Sequence, residues 1–390
     1  MADTAYRVVD FNRARRKRRR GIFIRRVVVL AAIGGLISGA ISLNHLLVGR
    51  QFSTRVVNFA QSLWGPGFPQ TAPPGRIRDV RAFTGGIAVL TDTNLLLLGR
   101  GGQELPTSGQ IGESTLMLVS GSRIITYTAG GSAFAVYFQN RQIATGETDG
   151  PIRAAALGER GNYAIVSSTM QFRSQVIVFT DRHEQHFRWD SPGELVSTIA
   201  LSPGGGGMAV GSVSVSGGQM FSTVFMFNLG LEEMGESIDL HGELILSLEY
   251  TGENQLAVIT DTGLRVIDTQ TGQVVNSYDM SGGNPVFFRV ADGRILLLYE
   301  APEYREQTVV LFGGRGDILG SYTPEVAVRD IQIGSRGVYL LSAHGATSFD
   351  HRLNLTGEHI QGGIVRILLA GDTLYYFTDS VVGILSFGEG

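Results

Sequence analysis

The chain has 390 residues, of which 53 are glycine and 11 are proline, and 43% of all residues are hydrophobic while 17% are charged. This composition excludes a disordered or collagen-like chain, and glycine combined with many short apolar runs is typical of tight turns between buried strands. Cysteine is absent, which excludes disulfides, thiolate metal sites and cysteine nucleophiles.

Positive charge is concentrated at the N-terminus. Residues 1–50 contain eleven Arg or Lys and two Asp, a balance of +9, so the other 340 residues carry −12. Seven of the eight residues in Arg13–Arg20 are basic, and an uncharged apolar run, Val27–Val48, follows shortly after. As a helix, such a run is about 33 Å long, enough to cross a hydrocarbon core of about 30 Å. We predict a basic cytoplasmic segment over 1–26 and one transmembrane helix over 27–48.

The arginine block lies on one side of the apolar run only. The positive-inside rule therefore keeps the N-terminus in the cytoplasm and predicts a single-pass protein of the cell membrane whose remainder is extracytoplasmic. A cleaved signal peptide is the alternative, because Ala40–Ser42 offers small residues, but the run is longer than a signal core. A nucleic-acid-binding arm is a third interpretation, and the adjacent span favours membrane anchoring over it. We expect no nucleic-acid partner.

Small residues form a stripe within the predicted span. Gly35 and Gly39 match the GxxxG pattern through which membrane helices pack closely, which predicts a homodimer. The alternative is that glycine is simply common in membrane helices. After the span, apolar residues at helical spacing in residues 49–64 predict an amphipathic stalk, and the Pro- and Gly-rich stretch that follows predicts a linker up to residue 75.

A repeated unit occupies residues 76–390. Each unit contains two apolar runs separated by a loop, such as GIAVL with NLLLL, followed by a turn rich in Gly, Asp or Asn. One central residue per unit recurs at intervals of 36 to 48 residues, 41 on average, at Val89, Ile125, Ile165, Val210, Val258, Leu297, Leu340 and Tyr376. This period is typical of a four-stranded propeller blade. The sequence therefore predicts an all-β fold, an eight-bladed β-propeller, with seven blades as the alternative.

The last unit is one strand short. The chain ends after a third strand near Phe387, which would leave a sheet edge without a partner. We expect residues 68–72 to supply the missing outer strand and so close the ring.

Several motifs resemble those of known propellers. Ala200–Pro203 before the glycine run is similar to the SPDG turn of WD-repeat and YVTN-like propellers, with glycine in place of aspartate. The arginine cluster, Gly67–Pro69, Gly85–Asp92, Ala155–Val166 and Asp261–Val266 together resemble a bacterial family of uncharacterised, membrane-anchored propeller proteins, classed as a domain of unknown function. The resemblance implies the topology and the ring, and it brings no catalytic residue.

Signals of chemistry are weak. His183 and His186 lie in a charged turn and show no metal-ligand spacing, and Gly204–Gly207 lacks the context of a phosphate-binding loop. Aspartates follow the threonines Thr91, Thr260 and Thr378 at the ends of strands; they suit turn formation or, less well, a cation site. We predict no catalytic residue, no metal and no cofactor.

Loop length gives the functional hypothesis. We expect long connections between second and third strands over Ser167–Ser174, Gly211–Ser222 and Glu300–Gln307. These connections carry the predicted binding residues Met170, Phe172, Arg173, Met220, Phe221, Tyr304 and Arg305. Apolar anchors mixed with arginines suit contact with a protein or peptide, although long loops also fold onto their own blades.

The sequence therefore favours an extracytoplasmic, membrane-anchored binding or scaffolding propeller, with the lipid bilayer and an envelope protein or peptide as partners. The alternative is a propeller enzyme, a quinone-dependent dehydrogenase or a lactonase-like hydrolase, with a metal in the central channel.

Overall fold

The described part of the chain is built of strands. The computed structural model describes residues 65–107, 111–231, 233–303 and 305–387, which form 32 β-strands in eight four-stranded antiparallel sheets. The predicted transmembrane helix and amphipathic stalk lie outside these residues. Within the described ranges, no helix has the length and apolarity needed to cross a bilayer.

Each sheet is one blade, numbered I to VIII in chain order, and β1 (Gln70–Thr71) precedes them. The strands of blades I to IV are β2 (Ile77–Phe83), β3 (Gly86–Thr91), β4 (Leu95–Gly99), β5 (Glu104–Leu105), β6 (Thr115–Ser120), β7 (Arg123–Thr128), β8 (Ala133–Phe138), β9 (Arg141–Glu147), β10 (Ile152–Leu157), β11 (Tyr163–Ser167), β12 (Ser174–Phe179), β13 (Gln185–Ser191), β14 (Leu195–Leu201), β15 (Gly207–Ser216), β16 (Gln219–Asn228) and β17 (Glu233–His241).

Blades V to VIII continue the pattern. Their strands are β18 (Ile245–Gly252), β19 (Gln255–Thr260), β20 (Gly263–Asp268), β21 (Gln273–Asp279), β22 (Asn284–Ala291), β23 (Arg294–Glu300), β24 (Gln307–Gly313), β25 (Ile318–Tyr322), β26 (Val328–Gly334), β27 (Gly337–Ser342), β28 (Gly345–Phe349), β29 (Leu355–Ile360), β30 (Arg366–Ala370), β31 (Thr373–Phe377) and β32 (Val381–Leu385).

The eight blades close into a ring. The first strand of each blade contacts the first strand of the next, in the order β2, β6, β10, β14, β18, β22, β26 and β30, and β30 contacts β2. The eight-bladed propeller is therefore confirmed. The first strands are innermost and surround a central channel.

The apolar core is divided among the blade interfaces. The second strands are the most buried, and all six residues of β3 are buried, because neighbouring blades cover both faces of each sheet. Eight apolar clusters occur in the described residues, each made mainly of side chains from two adjacent blades. The predicted central residues pair in register with one residue each of the first strands, for example Val89 with Val80.

The ring is closed by strand pairing between its two ends. β1 pairs antiparallel with β32, with Gln70 opposite Val382, and the amide of Ala72 donates to the carbonyl of Ser380 at 2.9 Å. The Phe68 ring packs edge-to-face on Tyr375, with centroids 5.0 Å apart. The strand expected from residues 68–72 is thus present as a two-residue strand. It is the fourth strand of blade VIII, whose strand order is β1-β32-β31-β30.

Side chains also join successive blades. Asp330 of β26 is buried, and its Oδ2 accepts the amide of Ile367 in blade VIII at 3.1 Å, while Oδ1 accepts the amide of Ile331 at 2.9 Å. Asp79 occupies the equivalent position in blade I. Its side chain is 31% exposed, and its contacts are the amide of Val80 and the guanidinium of Arg81, both within its own blade.

Deleting residues 67–74 should lower the melting temperature of the propeller by about 5 °C or more, because the edge of β32 and the ring of Tyr375 lose their cover. Thermal denaturation followed by circular dichroism measures the effect, and Phe68→Ala, which keeps the strand, should have a smaller one. A melting curve that does not change on deletion would contradict closure by β1.

Replacing Asp330 by alanine should lower the free energy of unfolding by about 2 kcal/mol or more, since two buried amides lose their acceptor. Asp79→Ala is the matched control, and it should cost less than about 1 kcal/mol because the Asp79 carboxylate and its partner Arg81 are both partly exposed to water. Urea denaturation measures both. Equal losses in the two variants would show that the bond between blades VII and VIII contributes nothing specific.

Candidate binding face

The predicted binding residues that the structure describes lie on one face of the ring. Strands alternate in direction within each antiparallel blade, so the connections between second and third strands leave the same side as the connections between blades. We call this side the loop face. The opposite side, which carries the turns between first and second and between third and fourth strands, is called the turn face.

In blade III, a six-residue connection joins β11 to β12 on the loop face. The amide of Phe172 donates to Oγ1 of Thr169 at 3.0 Å, and the amide of Thr169 donates to the carbonyl of Phe172 at 3.0 Å. Phe172 is half-buried, Met170 is fully exposed, and Arg173 donates from Nη1 to the carbonyl of Gly193 at 3.3 Å. The loop is therefore fixed by hydrogen bonds and presents Met170 to solvent.

In blade IV, the predicted long loop over Gly211–Ser222 is wrong. β15 and β16 continue as paired ten-residue strands through this segment, and they are joined by the two-residue turn Gly217–Gly218, both with positive φ. Valines alternating with serines give the period of two that a strand requires. The carboxylate of Glu194 also accepts hydrogen bonds from the hydroxyls of Ser212 and Ser214, both at 2.8 Å.

Met220 and Phe221 therefore lie on a β-hairpin rather than a loop. Met220 is 41% exposed. Phe221 is half-buried, with its ring 6.2 Å from that of His241. Blades III and IV are neighbours, so the structure brings these two residues and those of the blade III loop onto adjacent blades.

Blade VI contributes less than predicted. Residues 301–306 connect β23 to β24, and the amide of Arg305 donates to the carbonyl of Ala301 at 3.0 Å. Arg305 is exposed, with a φ of 52°. Tyr304 lies outside the described residues, as do Gly35 and Gly39. Because blade V separates blade VI from blade IV, Arg305 does not adjoin the residues of blades III and IV.

The central channel contains charges that sequence reasoning missed. Arg81 pairs with Asp79 at 2.9 Å, and Nη2 of Arg289 lies 3.5 Å from Oδ1 of Asp330. In each first strand, one residue pairs with the central residue of the second strand. The next residue along the first strand is Arg81 in blade I, Glu249 in blade V and Arg289 in blade VI. At this same position blades II, III and IV carry Val119, Ala156 and Ala200. Blades VII and VIII carry Gln332 and Leu368 there, so charged residues occupy this position in blades I, V and VI.

The charges interact across the ring. Burial raises the pKa of Glu249, whereas Arg81 and Arg289 lower it. The Glu249 side chain is nevertheless exposed, because the protein that surrounds it leaves it facing the water of the channel. This water limits the rise in the pKa of Glu249. Burial lowers the pKa of Arg289, and the charge of Asp330 opposes that change. An alignment of the eight first strands on the residues that pair with the central residues would have placed Arg81, Glu249 and Arg289 at one position.

Threonines, rather than the recurring aspartates, form the short turns of the loop face. Oγ1 of Thr91, Thr260 and Thr378 accepts the amide three residues later at 2.9 to 3.0 Å. Oδ1 of Asp261 accepts the amide of Leu244 in the connection between blades. Among the described residues, no three His, Asp or Glu side chains are placed to hold a metal ion.

The glycine run and His183 make structural contacts on the turn face. The carboxylate of Glu253 in blade V accepts hydrogen bonds from the amide of Gly204 and the hydroxyl of Ser202, so the glycine run connects blades IV and V. His183 lies 3.3 Å from the hydroxyl of Tyr163 through Nδ1. Burial and the charge of Arg123 lower the pKa of His183.

Comparison with known proteins identifies a family and a fold. Residues 78–379 match the model of the family of unknown function DUF5711. No curated protein matches the chain. The chain is similar in structure to the C-terminal WD40 domain of Sif2, with a TM-score of 0.57, 13% identity, and coverage of 82% of this chain and 99% of that one.

Two further propellers show the same likeness. The Dos1 propeller has a TM-score of 0.58 and 12% identity, with coverage of 83% of this chain and 96% of that one. The computationally designed protein Ika8 has a TM-score of 0.57 and 15% identity, with coverage of 82% and 97%. At these identities the likeness shows the fold alone.

Proposed function

Because the chain belongs to the DUF5711 family, whose function is unknown, and folds as a WD40-like β-propeller, we propose that it is a protein- or peptide-binding scaffold. One observation carries this proposal. The loop of blade III and the hairpin of blade IV stand on neighbouring blades and present exposed Met170, Met220 and Arg173 on the loop face.

These side chains suit a protein partner. Methionine and arginine are enriched at interfaces, where methionine adapts to irregular surfaces and arginine offers several donors. The backbone beneath them is fixed, in blade III by the hydrogen bonds of Thr169 and in blade IV by the paired strands β15 and β16. Binding on such a surface costs little ordering entropy, since the main chain is already in place.

We propose further that residues 27–48 anchor the protein in the cell membrane and hold the propeller on the extracytoplasmic side. The support is the arginine block and the 22-residue apolar run in the sequence. A partner would then be an envelope protein or peptide, and Gly35 and Gly39 would allow two copies to pair through their spans.

The variant Met170→Ser, Arg173→Ser, Met220→Ser should lose most of the partner captured by crosslinking in intact cells, because it removes the exposed anchors of both blades. Mass spectrometry of the crosslinked products measures the loss. The control Val274→Ser, Val275→Ser, Ile318→Ser changes exposed apolar residues of outer strands and should retain capture. Identical crosslinks in both variants would exclude blades III and IV as the binding surface.

A tag at the C-terminus should be digested when protease is added to whole cells, since the proposed topology places the propeller outside the cytoplasm. Immunoblotting against the tag measures digestion, with a cytoplasmic protein as the control for intact cells. If the tag survives until the cells are lysed, the proposed orientation is wrong.

A further inference from the structure

Six inner strands contain a β-bulge at the same position. Each bulge leaves one residue without a partner in the second strand; in blade I this residue is Arg78, between the pairs Ile77 with Thr91 and Asp79 with Leu90. Bulges at the equivalent position occur in blades III, IV, V, VI and VII. A bulge redirects a side chain away from the sheet, and bulges are common beside functional sites.

The bulged residues lie where the first strands begin, at the loop-face mouth of the channel. Each bulged residue lies two positions before the first-strand residue that pairs with the central residue of the second strand. Blades II and VIII have no bulge there, but they carry a residue at the same position. We call this set the mouth rim, and in blade order it comprises Arg78, Leu116, Arg153, Ser197, Leu246, Val286, Arg329 and Val365. Except for the half-buried Arg78, all of them are exposed.

The mouth rim combines apolar and cationic side chains. Its four apolar members are 38% to 44% exposed, although leucine and valine at the start of an inner strand are expected to be buried between blades. Its three arginines belong to blades I, III and VII, and each has an apolar rim residue on at least one neighbouring blade.

The rim arginines have no acidic partner in the described part of the chain. Among the ion pairs there, none involves Arg78, Arg153 or Arg329. Arg78 reaches only the carbonyl of Gly112, at 3.5 Å. The exposed carboxylates of Glu113, Asp149 and Glu325 lie in the connections that lead to blades II, III and VII, and none of them forms an ion pair with a rim arginine. The carboxylates of Glu194 and Glu243, in the connections that lead to blades IV and V, accept hydrogen bonds from the hydroxyls of Ser212 and Ser214 and from Arg265 respectively.

The backbone under the mouth rim is tied to the preceding blade. The residue before the bulge donates its amide to that blade in four cases: Ile152 to the carbonyl of Gly131, Val196 to Oγ of Ser174, Ile245 to Oγ of Ser222, and Val328 to Oε1 of Gln307, at 2.6 to 3.3 Å. These bonds hold the bulges in one geometry, so the rim side chains project from a fixed support.

We propose that the mouth rim binds an acidic peptide segment that also carries apolar side chains. Carboxylates would pair with the rim arginines, whose planar guanidinium groups suit bidentate contact, and apolar side chains would cover the exposed leucines and valines. The proposal rests on the proposed binding function and names the chemistry of its partner.

The charge of the chain argues for such a partner. The chain's own residues 1–50 carry +9 and would be repelled by the arginines. A long polyanion such as nucleic acid would meet the −12 of the other 340 residues, whereas a short acidic segment contacts the rim alone. The apolar half of the rim also has no counterpart in a phosphate backbone.

Fluorescence anisotropy of a labelled short peptide built of glutamate, leucine and serine tests the proposal on the purified full-length chain. Binding should be saturable, absent when lysine replaces glutamate, and weaker when serine replaces leucine. Saturable binding of a single-stranded DNA oligonucleotide with equal affinity would overturn the proposal in favour of general polyanion binding, and so would the absence of saturable peptide binding.

Two triple variants locate the site. Arg78→Ser, Arg153→Ser, Arg329→Ser should weaken peptide binding by about tenfold or more. Arg100→Ser, Arg182→Ser, Arg352→Ser removes the same charge from exposed residues of the same three blades on the turn face and should leave binding unchanged. Equal weakening by both variants would show that net charge, and not the rim, determines binding. Circular dichroism confirms that each variant is folded.

The apolar half of the rim has its own variant. The double variant Leu246→Ser, Val286→Ser keeps every charge. It should weaken binding of the peptide that contains glutamate and leucine, and it should leave binding of the peptide in which serine replaces leucine unchanged. If the double variant binds both peptides as the unmodified chain does, the apolar residues are not part of the site. If crosslinking still captures a partner through blades III and IV while no peptide binds the rim, the proposed function stands and the rim assignment falls.

Discussion

Pairing of the two ends of the propeller is the constraint on which the ring depends. Blade VIII has three strands from the C-terminal part of the chain, and its outer edge would expose unpaired amides and carbonyls without β1. Two residue pairs of β1 with β32 suffice because Phe68 and Ala72 also pack into the apolar cluster shared by blades VIII and I. Closure therefore combines strand pairing with core burial at the interface between blades VIII and I, where β1 of blade VIII leads directly into β2 of blade I.

The closed ring also explains why the bulges matter. Every inner strand is covered on both faces by neighbouring blades, so register is fixed by burial, and a one-residue slip would place polar groups in the core. A bulge after a buried residue such as Val196 allows the next side chain, Ser197, to leave the interface without shifting the rest of the strand. Six blades thus keep a regular core while their rim positions are free to vary.

The blades were predictable because second strands such as β3 and β23 are buried on both faces, and this appears in the sequence as short continuous apolar runs. The blade IV hairpin was not predicted, because Ser212–Ser216 alternates serine with valine, and serine is common in loops. Arg81, Glu249 and Arg289 were also missed as one cluster. They are far apart in the chain, and only the register of each first strand brings them to one level of the channel.

Electrostatics distinguishes the mouth rim from the inside of the channel. Inside the channel, Arg289 lies beside Asp330 of the next blade, and Arg81 pairs with Asp79 of its own strand. The rim arginines have no such partners in the described residues and stand on a chain whose residues 51–390 carry −12. Attraction at the rim must therefore act over a short range, within a Debye length of about 8 Å. A ligand selected in this way is recognised by contact with the rim rather than by long-range steering.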